Sequence, residues 1–181
     1  MAILLLLSDF EDAGKYNIPD AGGAYTYLSV QEIIDKHEAP YIYKLLGVVE
    51  GKKIITWIQA TFLPANTDYT KIKDAFAEDD ISSCSCANSQ RVSLGLKEYL
   101  KAAIFYEYVK NALINSQAGV TTPKSETADK QSSSSSMRYA ENKFNDILDT
   151  AEAIQWYCRE NPTAFPDFNG QCIKVKAAQF I

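Results

Sequence analysis

Two long amphipathic segments, separated by a long polar stretch, constrain the fold of this chain more than any other feature. In the first segment, 91–115, apolar residues recur every three or four positions, and Asn88 or Ser89 would cap its start. The second segment, 137–161, repeats the pattern and ends before Pro162, because proline disfavours the helical conformation at the preceding residue. The pattern predicts two long helices joined by an unusually long connection.

A third long helix is predicted in the N-terminal half. Apolar residues within 27–46 lie largely on one helical stripe, Ser29 to Glu32 form a capping box, and Gly47 is the expected stop. Lys53 to Leu63 is rich in β-branched and aromatic residues, but its length and the proline that follows favour a short helix. These segments predict a chain that is helical along most of its first half.

The region between these helices and 91–115 is less regular. We expect one further turn of helix within 68–76 and a polar connection over 77–90. The aromatic clusters at 105–108 and 156–158 are expected in the core and at subunit contacts, since aromatic side chains bury large areas.

The fold class that follows is mainly α: a helical bundle of three long and one or two short helices, with a long inter-helix arm and extended termini. A chain of 181 residues suits a single domain. We divide it into an N-terminal extended segment (1–23), a helical part (24–115), a flexible arm (116–136), a long helix (137–161) and a C-terminal docking tail (162–181).

Both termini carry apolar residues. The run from Ala2 to Leu7 is far shorter than the roughly 20 residues that span a bilayer, so we expect a buried strand or an anchoring segment and no membrane span. Near the other end, Ile173, Val175 and Ala177 alternate with lysines, a pattern typical of a strand. That strand would pair with the N-terminal run or add to the edge of a neighbouring chain.

The sequence predicts no catalytic residue, no cofactor and no metal. His37 stands alone in a helix, and the pair Cys84 and Cys86 lacks a second pair at zinc-site spacing. Gly47 to Lys53 is one residue short of a phosphate loop and lacks the hydroxyl residue after the lysine, so a helix stop and a turn are expected. Without an export signal, the cysteines are expected to be free thiols in a reducing compartment.

Three stretches of the chain resemble a known family: YIYKLLG, LKEYLKAAIFYEYVKN and YAENKFNDILDTAEAIQWYCRENPTAFPDFNGQ. They are similar to small virion proteins of tailed phages and prophages of Bacteroidetes, including crAss-like phages. Members look like head-tail connector, or adaptor, proteins, which form a ring beneath the portal. The similarity covers about Lys15 to Gly170, while the serine tract and the cysteine pair depart from the family.

The resemblance implies a structural, non-enzymatic role in the virion neck, with assembly in the bacterial host cytoplasm. The expected partners are other copies of the chain, most simply in a dodecamer that matches the portal, together with the portal protein and an adjacent neck or tail ring. Genome DNA would pass through the lumen without specific binding. The net charge of −5 is consistent with this, because an acidic lumen repels phosphate.

The arm and the tail are the expected interfaces. Helix connections in bundles seldom exceed roughly 8 residues, whereas 116–136 gives about 21, so a function or disorder is expected there. We predict that the serines are slack and that the apolar and β-branched residues before them make contact; a merely tolerated insertion is the alternative. The predicted subunit and portal contacts are Gly119, Val120, Thr121, Thr122, Pro123, Phe168, Ile173, Val175, Phe180 and Ile181.

Other functions stay open at this point. The chain could be another neck ring or a tail-completion protein. From different classes, it could be a host-directed or otherwise non-viral helical binding module, or a small enzyme with an unrecognised site. Its mass in solution and its behaviour with a portal protein would distinguish these alternatives.

Overall fold

The fold is known from a computed structural model, which describes residues 3–11, 15–16, 18, 30–60, 66–79, 90–117, 133–171 and 173. The described chain is predominantly helical with a small two-stranded sheet, which confirms the predicted mainly α class. In chain order the elements are α1 (Ser8–Glu11), α2 (Val30–Leu46), α3 (Val48–Gln59), α4 (Thr67–Lys73), β1 (Phe76–Asp79), β2 (Gln90–Ser93), α5 (Leu96–Gln117), α6 (Ser133–Asn145) and α7 (Leu148–Glu160).

A single glycine separates α2 from α3. Gly47 has a φ of 89°, a left-handed conformation that glycine adopts without steric cost, and α3 begins at the next residue. The predicted helix stop at Gly47 is therefore confirmed, but the turn expected after it is wrong. The backbone changes direction at one residue, so Val48 to Lys53 are already helical. The proposed cap, Ser29, lies outside the described residues.

The predicted polar connection over 77–90 is partly wrong, because both of its ends are strands. β1 and β2 pair antiparallel with the register Phe76↔Ser93, Ala77↔Val92, Glu78↔Arg91 and Asp79↔Gln90. The helix expected from 91 therefore begins only at Leu96. Its start is set by Gly95, whose φ is 89° and whose position leaves no room for a Cβ, since such an atom would lie 2.6 Å from the Lys73 carbonyl oxygen. The expected caps, Asn88 and Ser89, lie outside the described residues.

The single helix expected over 137–161 is two helices, α6 and α7. The ladder tightens between them, since the Ile147 N–H donates to the Phe144 carbonyl oxygen three residues back, at 3.2 Å. Both Phe144 and Ile147 are buried, so this turn keeps two successive apolar residues in the core while the axis changes direction. The predicted end is confirmed, because Asn161 is the C-cap of α7.

The serine tract also differs from its prediction. Ser133–Asn145 is helical, so four of the five serines belong to α6 rather than to a slack arm. At the other end, α5 continues to Gln117. The rest of the expected arm, 118–132, lies outside the described residues.

The core joins two groups of aromatic side chains. In the first, Tyr41 of α2, Tyr99 of α5 and Phe144 of α6 have ring centroids 6.0 to 6.3 Å apart. In the second, Tyr157 of α7 contacts Phe76 at 5.4 Å and Phe165 at 5.9 Å. The prediction that the clusters at 105–108 and 156–158 enter the core is confirmed for their buried members Phe105, Glu107, Tyr157 and Cys158.

Neither terminal segment is the element that was expected. Residues 3–11 contain the single turn α1 rather than a strand, and Leu5 and Phe10 are fully buried. Residues 162–171, assigned to a docking tail, pack on this chain's own bundle, with Phe165 in the core. No described helix is long and apolar enough to cross a membrane.

Candidate functional site

The structure describes two of the predicted interface residues, and both of them pack inward. Phe168 and Ile173 are half-buried against the chain's own core. Their assignment as free docking residues is therefore corrected, because the apolar surface of each is already used within the subunit. The remaining predicted residues, Gly119, Val120, Thr121, Thr122, Pro123, Val175, Phe180 and Ile181, lie outside the described residues.

The segment that follows α7 holds the corner between α2 and α3. The Asn169 N–H donates to the Leu46 carbonyl oxygen at 3.1 Å, and the Gln171 N–H donates to that of Lys44 at 2.8 Å. Gln155 of α7 is buried, and its Nε2 donates at 2.8 Å to the carbonyl oxygens of both Leu45 and Gln171. These bonds satisfy carbonyl groups that the last turn of α2 leaves unpaired.

This contact depends on a glycine at position 170. A Cβ there would lie 2.0 Å from the Leu45 carbonyl oxygen and 2.8 Å from Nε2 of Gln155. The sequence Asn169-Gly170 had been interpreted only as a turn signal. The glycine is needed because two backbones approach each other, which a turn signal does not reveal.

Three helices place a glutamate in the core, and sequence reasoning missed all three. Glu38 of α2 is 1% exposed, and its carboxylate accepts the backbone N–H groups of Ile3, Leu4 and Leu5 at 2.6, 2.7 and 2.9 Å. A buried carboxylate is costly unless it is hydrogen-bonded, and here three donors meet that need. The group therefore ties the N-terminal segment to α2.

Glu50 of α3 is fully buried and accepts the Tyr69 hydroxyl at 2.6 Å. Lys53 lies 3.5 Å from the same carboxylate and pairs with Asp167 at 2.6 Å, so it connects α3 to the segment after α7. Burial, and then the hydrogen bond to Glu50, raise the pKa of Tyr69 above its ordinary value. The phenol therefore stays protonated and acts as a donor.

Glu107 of α5 accepts the Tyr41 hydroxyl at 2.8 Å. Burial, with the charge of Glu107 second, raises the pKa of Tyr41 above its ordinary value. His37, one turn before Tyr41 in α2, is partly exposed as predicted. Burial lowers the pKa of His37, while the nearby Glu107 charge opposes that shift. This arrangement can hold a proton between helices, and it links α2 to α5.

A sequence signal for these glutamates exists. Glu38 follows Ile34 and precedes Ile42 by four residues each, so it occupies a position on the apolar stripe of α2. Glu50 precedes the buried Ile54 by the same interval. A carboxylate at a core position of an amphipathic helix predicts a buried acceptor, although the sequence does not reveal its donors.

A shallow groove of about 460 Å³ lies along α3, lined by Lys52, Lys53, Thr56, Trp57 and Ala60. Its floor is the largely buried Trp57, whose ring meets that of Tyr69 at 5.6 Å. The described residues contain no group of three or more histidine, cysteine or acidic side chains placed to hold a metal ion.

Large apolar side chains are exposed in two pairs. Val48 and Val49, at the start of α3, are 55% and 54% exposed. Val92 of β2 and Leu94 just after it are 48% and 50% exposed. The second pair lies beside the first turn of α7, since the Leu94 N–H donates to Oγ1 of Thr150 at 3.2 Å. Exposed apolar side chains that adjoin one another mark candidate contact surfaces.

Comparison of the chain with protein-family models, with curated proteins and with solved structures finds no match in any of the three. The resemblance to phage connector proteins stays a prediction.

Proposed function

We propose that this chain is a structural virion protein of a tailed phage, which assembles into a homo-oligomeric ring between the portal and the next neck or tail component. The ring would line the genome exit channel. The family resemblance in the sequence suggests this role, and one observation on the described surface supports it.

That observation is the presence of exposed apolar pairs on two different elements, the start of α3 and β2. In a ring each subunit contacts its two neighbours through two different patches, whereas a two-fold dimer uses one patch twice. Val48 with Val49 and Val92 with Leu94 supply two such patches. Fully burying one valine or leucine side chain contributes roughly 1.5 to 3 kcal/mol before the costs of association.

The mainly helical body and the charge are also consistent with the proposal. Buried Glu38, Glu50 and Glu107 each join segments distant in sequence, so the subunit has a body that can be carried intact into an assembly. The acidic net charge of −5 would let DNA pass without tight binding.

The test is the mass of the purified chain by light scattering over a range of concentrations, alone and with the portal protein of the same phage, together with negative-stain images. We expect rings with a central channel, formed by the chain alone or on the portal. A chain that stays a monodisperse monomer in every condition and ignores the portal would overturn the proposal.

Two variants with matched controls sharpen the test. Val49→Asp and Val92→Asp should each reduce assembly by roughly tenfold or more, because each places a charge in an apolar contact. Thr56→Asp on α3 and Gln90→Asp on β2 change exposed polar residues of the same elements and should leave assembly near wild type. Equal effects of the variants and their controls would argue against these two patches.

A helical binding module is the second candidate, and the α3 groove is the observation that favours it. Lys52 and Lys53 beside the ring of Trp57 would suit a partner that carries an anionic and an aromatic group. In that case Thr56→Asp, rather than Val49→Asp, would impair binding, and the free chain would stay monomeric.

A further inference from the structure

The sheet has an edge that the described chain does not use. β1 pairs with β2 on one side, and no other described backbone group bonds to Phe76–Asp79. An unpaired strand edge presents a row of N–H and C=O groups that can pair with another extended segment. A sheet of two strands is also marginal by itself, and a third strand would extend it.

The two faces of this sheet differ. Ala77 and Val92 are paired, exposed and on the outer face, where Leu94 continues the same alternation. Phe76 and Glu78 are on the inner face, toward the bundle. Glu78 is 28% exposed at its side chain and pairs with Lys71. The outer face is therefore apolar, while the inner face carries an acidic group close to the free edge.

The last residues of the chain match this edge in period and in charge. After Ile173, which packs on its own core, the sequence continues KVKAAQFI. Val175 and Ala177 alternate with Lys174 and Lys176, and the segment contains no acidic side chain. Eight extended residues reach about 27 Å, which is enough to leave one subunit and lie along a four-residue strand of another.

We propose that residues 174–181 of one copy of this chain add as a third strand to the free edge of β1 in a second copy. Val175 and Ala177 would extend the outer apolar face beside Ala77, and a lysine would lie near Glu78 on the inner face. This inference rests on the proposed function, and it deepens that function by assigning a contact between neighbouring subunits. A contact of tail to edge is head-to-tail, and such contacts can close into a ring.

Disulfide trapping between two different variants of the full chain tests the contact. In a background in which Cys84, Cys86 and Cys172 are serine, one protein carries Ala77→Cys and the other carries Val175→Cys. The two are mixed with oxidised glutathione, which takes up the two electrons and two protons released as the thiols join. We expect a disulfide-linked heterodimer on a non-reducing gel.

The control exploits the two-residue period of a strand. Lys174→Cys places the thiol on the opposite face of the tail, so its heterodimer with the Ala77→Cys protein should be lower by roughly fivefold or more. A heterodimer yield no higher than that of this control overturns the inference. A chain that carries both Ala77→Cys and Val175→Cys should also link between chains, and a link within one chain would overturn it by showing that the tail returns to its own sheet.

Light scattering on the same samples separates this inference from the proposed function. Rings that form without the specific disulfide would overturn the tail contact and leave the ring proposal standing. A specific heterodimer without rings would support the tail contact and count against the ring.

Discussion

The backbone N–H of Leu5 donates to Oε1 of Glu38 at 2.9 Å, across 33 residues of sequence, in a fully buried position. Ile3 and Leu4 donate to the same carboxylate. Leu5 and Phe10 can enter the core because the polar backbone that comes with them has this acceptor. One side chain of α2 therefore decides where the N-terminal segment lies.

Glu38→Ala should lower the free energy of unfolding by about 3 kcal/mol or more, because it leaves three backbone donors without an acceptor. Glu38→Gln should cost less, since one carbonyl oxygen still accepts. Urea denaturation followed by circular dichroism measures both. Glu152→Gln, at an exposed site of α7, is the matched control and should change the value by less than about 0.5 kcal/mol. A similar cost for Glu38→Gln and its control would contradict the role of Glu38.

Gly170→Ala should destabilise the chain by several kcal/mol, roughly the cost of a severe core clash. Its new Cβ would meet the Leu45 carbonyl oxygen, a backbone atom that cannot move without disturbing α2. Gly51→Ala is the control, because its Cβ would meet chiefly the Tyr43 ring at 2.7 Å and alanine favours the helix. The melting temperature should fall much further for the first variant. The reverse order would show that the clamp on the α2–α3 corner can relax.

Asp9 of α1 pairs with Lys97 of α5 at 2.8 Å. Burial alone would raise the pKa of Asp9, but the hydrogen bonds from Lys97 and from the Leu6 N–H outweigh it and hold the pKa below its ordinary value of 3.8. Because the folded pKa is depressed, this contribution to stability is present above about pH 4 and is lost as the pH falls through the folded value. Carboxyl NMR titration should show a higher pKa for Asp9 in Lys97→Met and no change in Lys52→Met.

Cys158 of α7 is a buried free thiol. Burial, with the charge of Glu50 second, raises its pKa above the ordinary value. Because the thiolate is the reactive form, the folded chain should label slowly at this position at pH 8. With Cys84, Cys86 and Cys172 replaced by serine, a maleimide should react at least about a hundredfold faster in urea than in buffer. Fast labelling in buffer would mean that α7 opens readily.

Apolar periodicity determined the helices that this chain forms. The stripes in 27–46 and 137–161 predicted α2, α6 and α7, because the spacing of core residues is a local property of the chain. The end at Asn161 followed from Pro162 for the same reason. The break between α6 and α7 could not be predicted, because apolar residues continue in register through Ile147 and only their packing turns the axis.

Tertiary structure alone decided what the polar residues and the termini do. Glu38 has its stripe position in the sequence, but its donors come from residues 3–5, and Gly170 is required only because Leu45 approaches it. The sheet has the same origin, since β1 and β2 are four residues each and are defined by pairing with each other. Helices are specified by neighbours in sequence, whereas buried acceptors, close backbone approaches and strand pairs are specified by residues far apart in the chain.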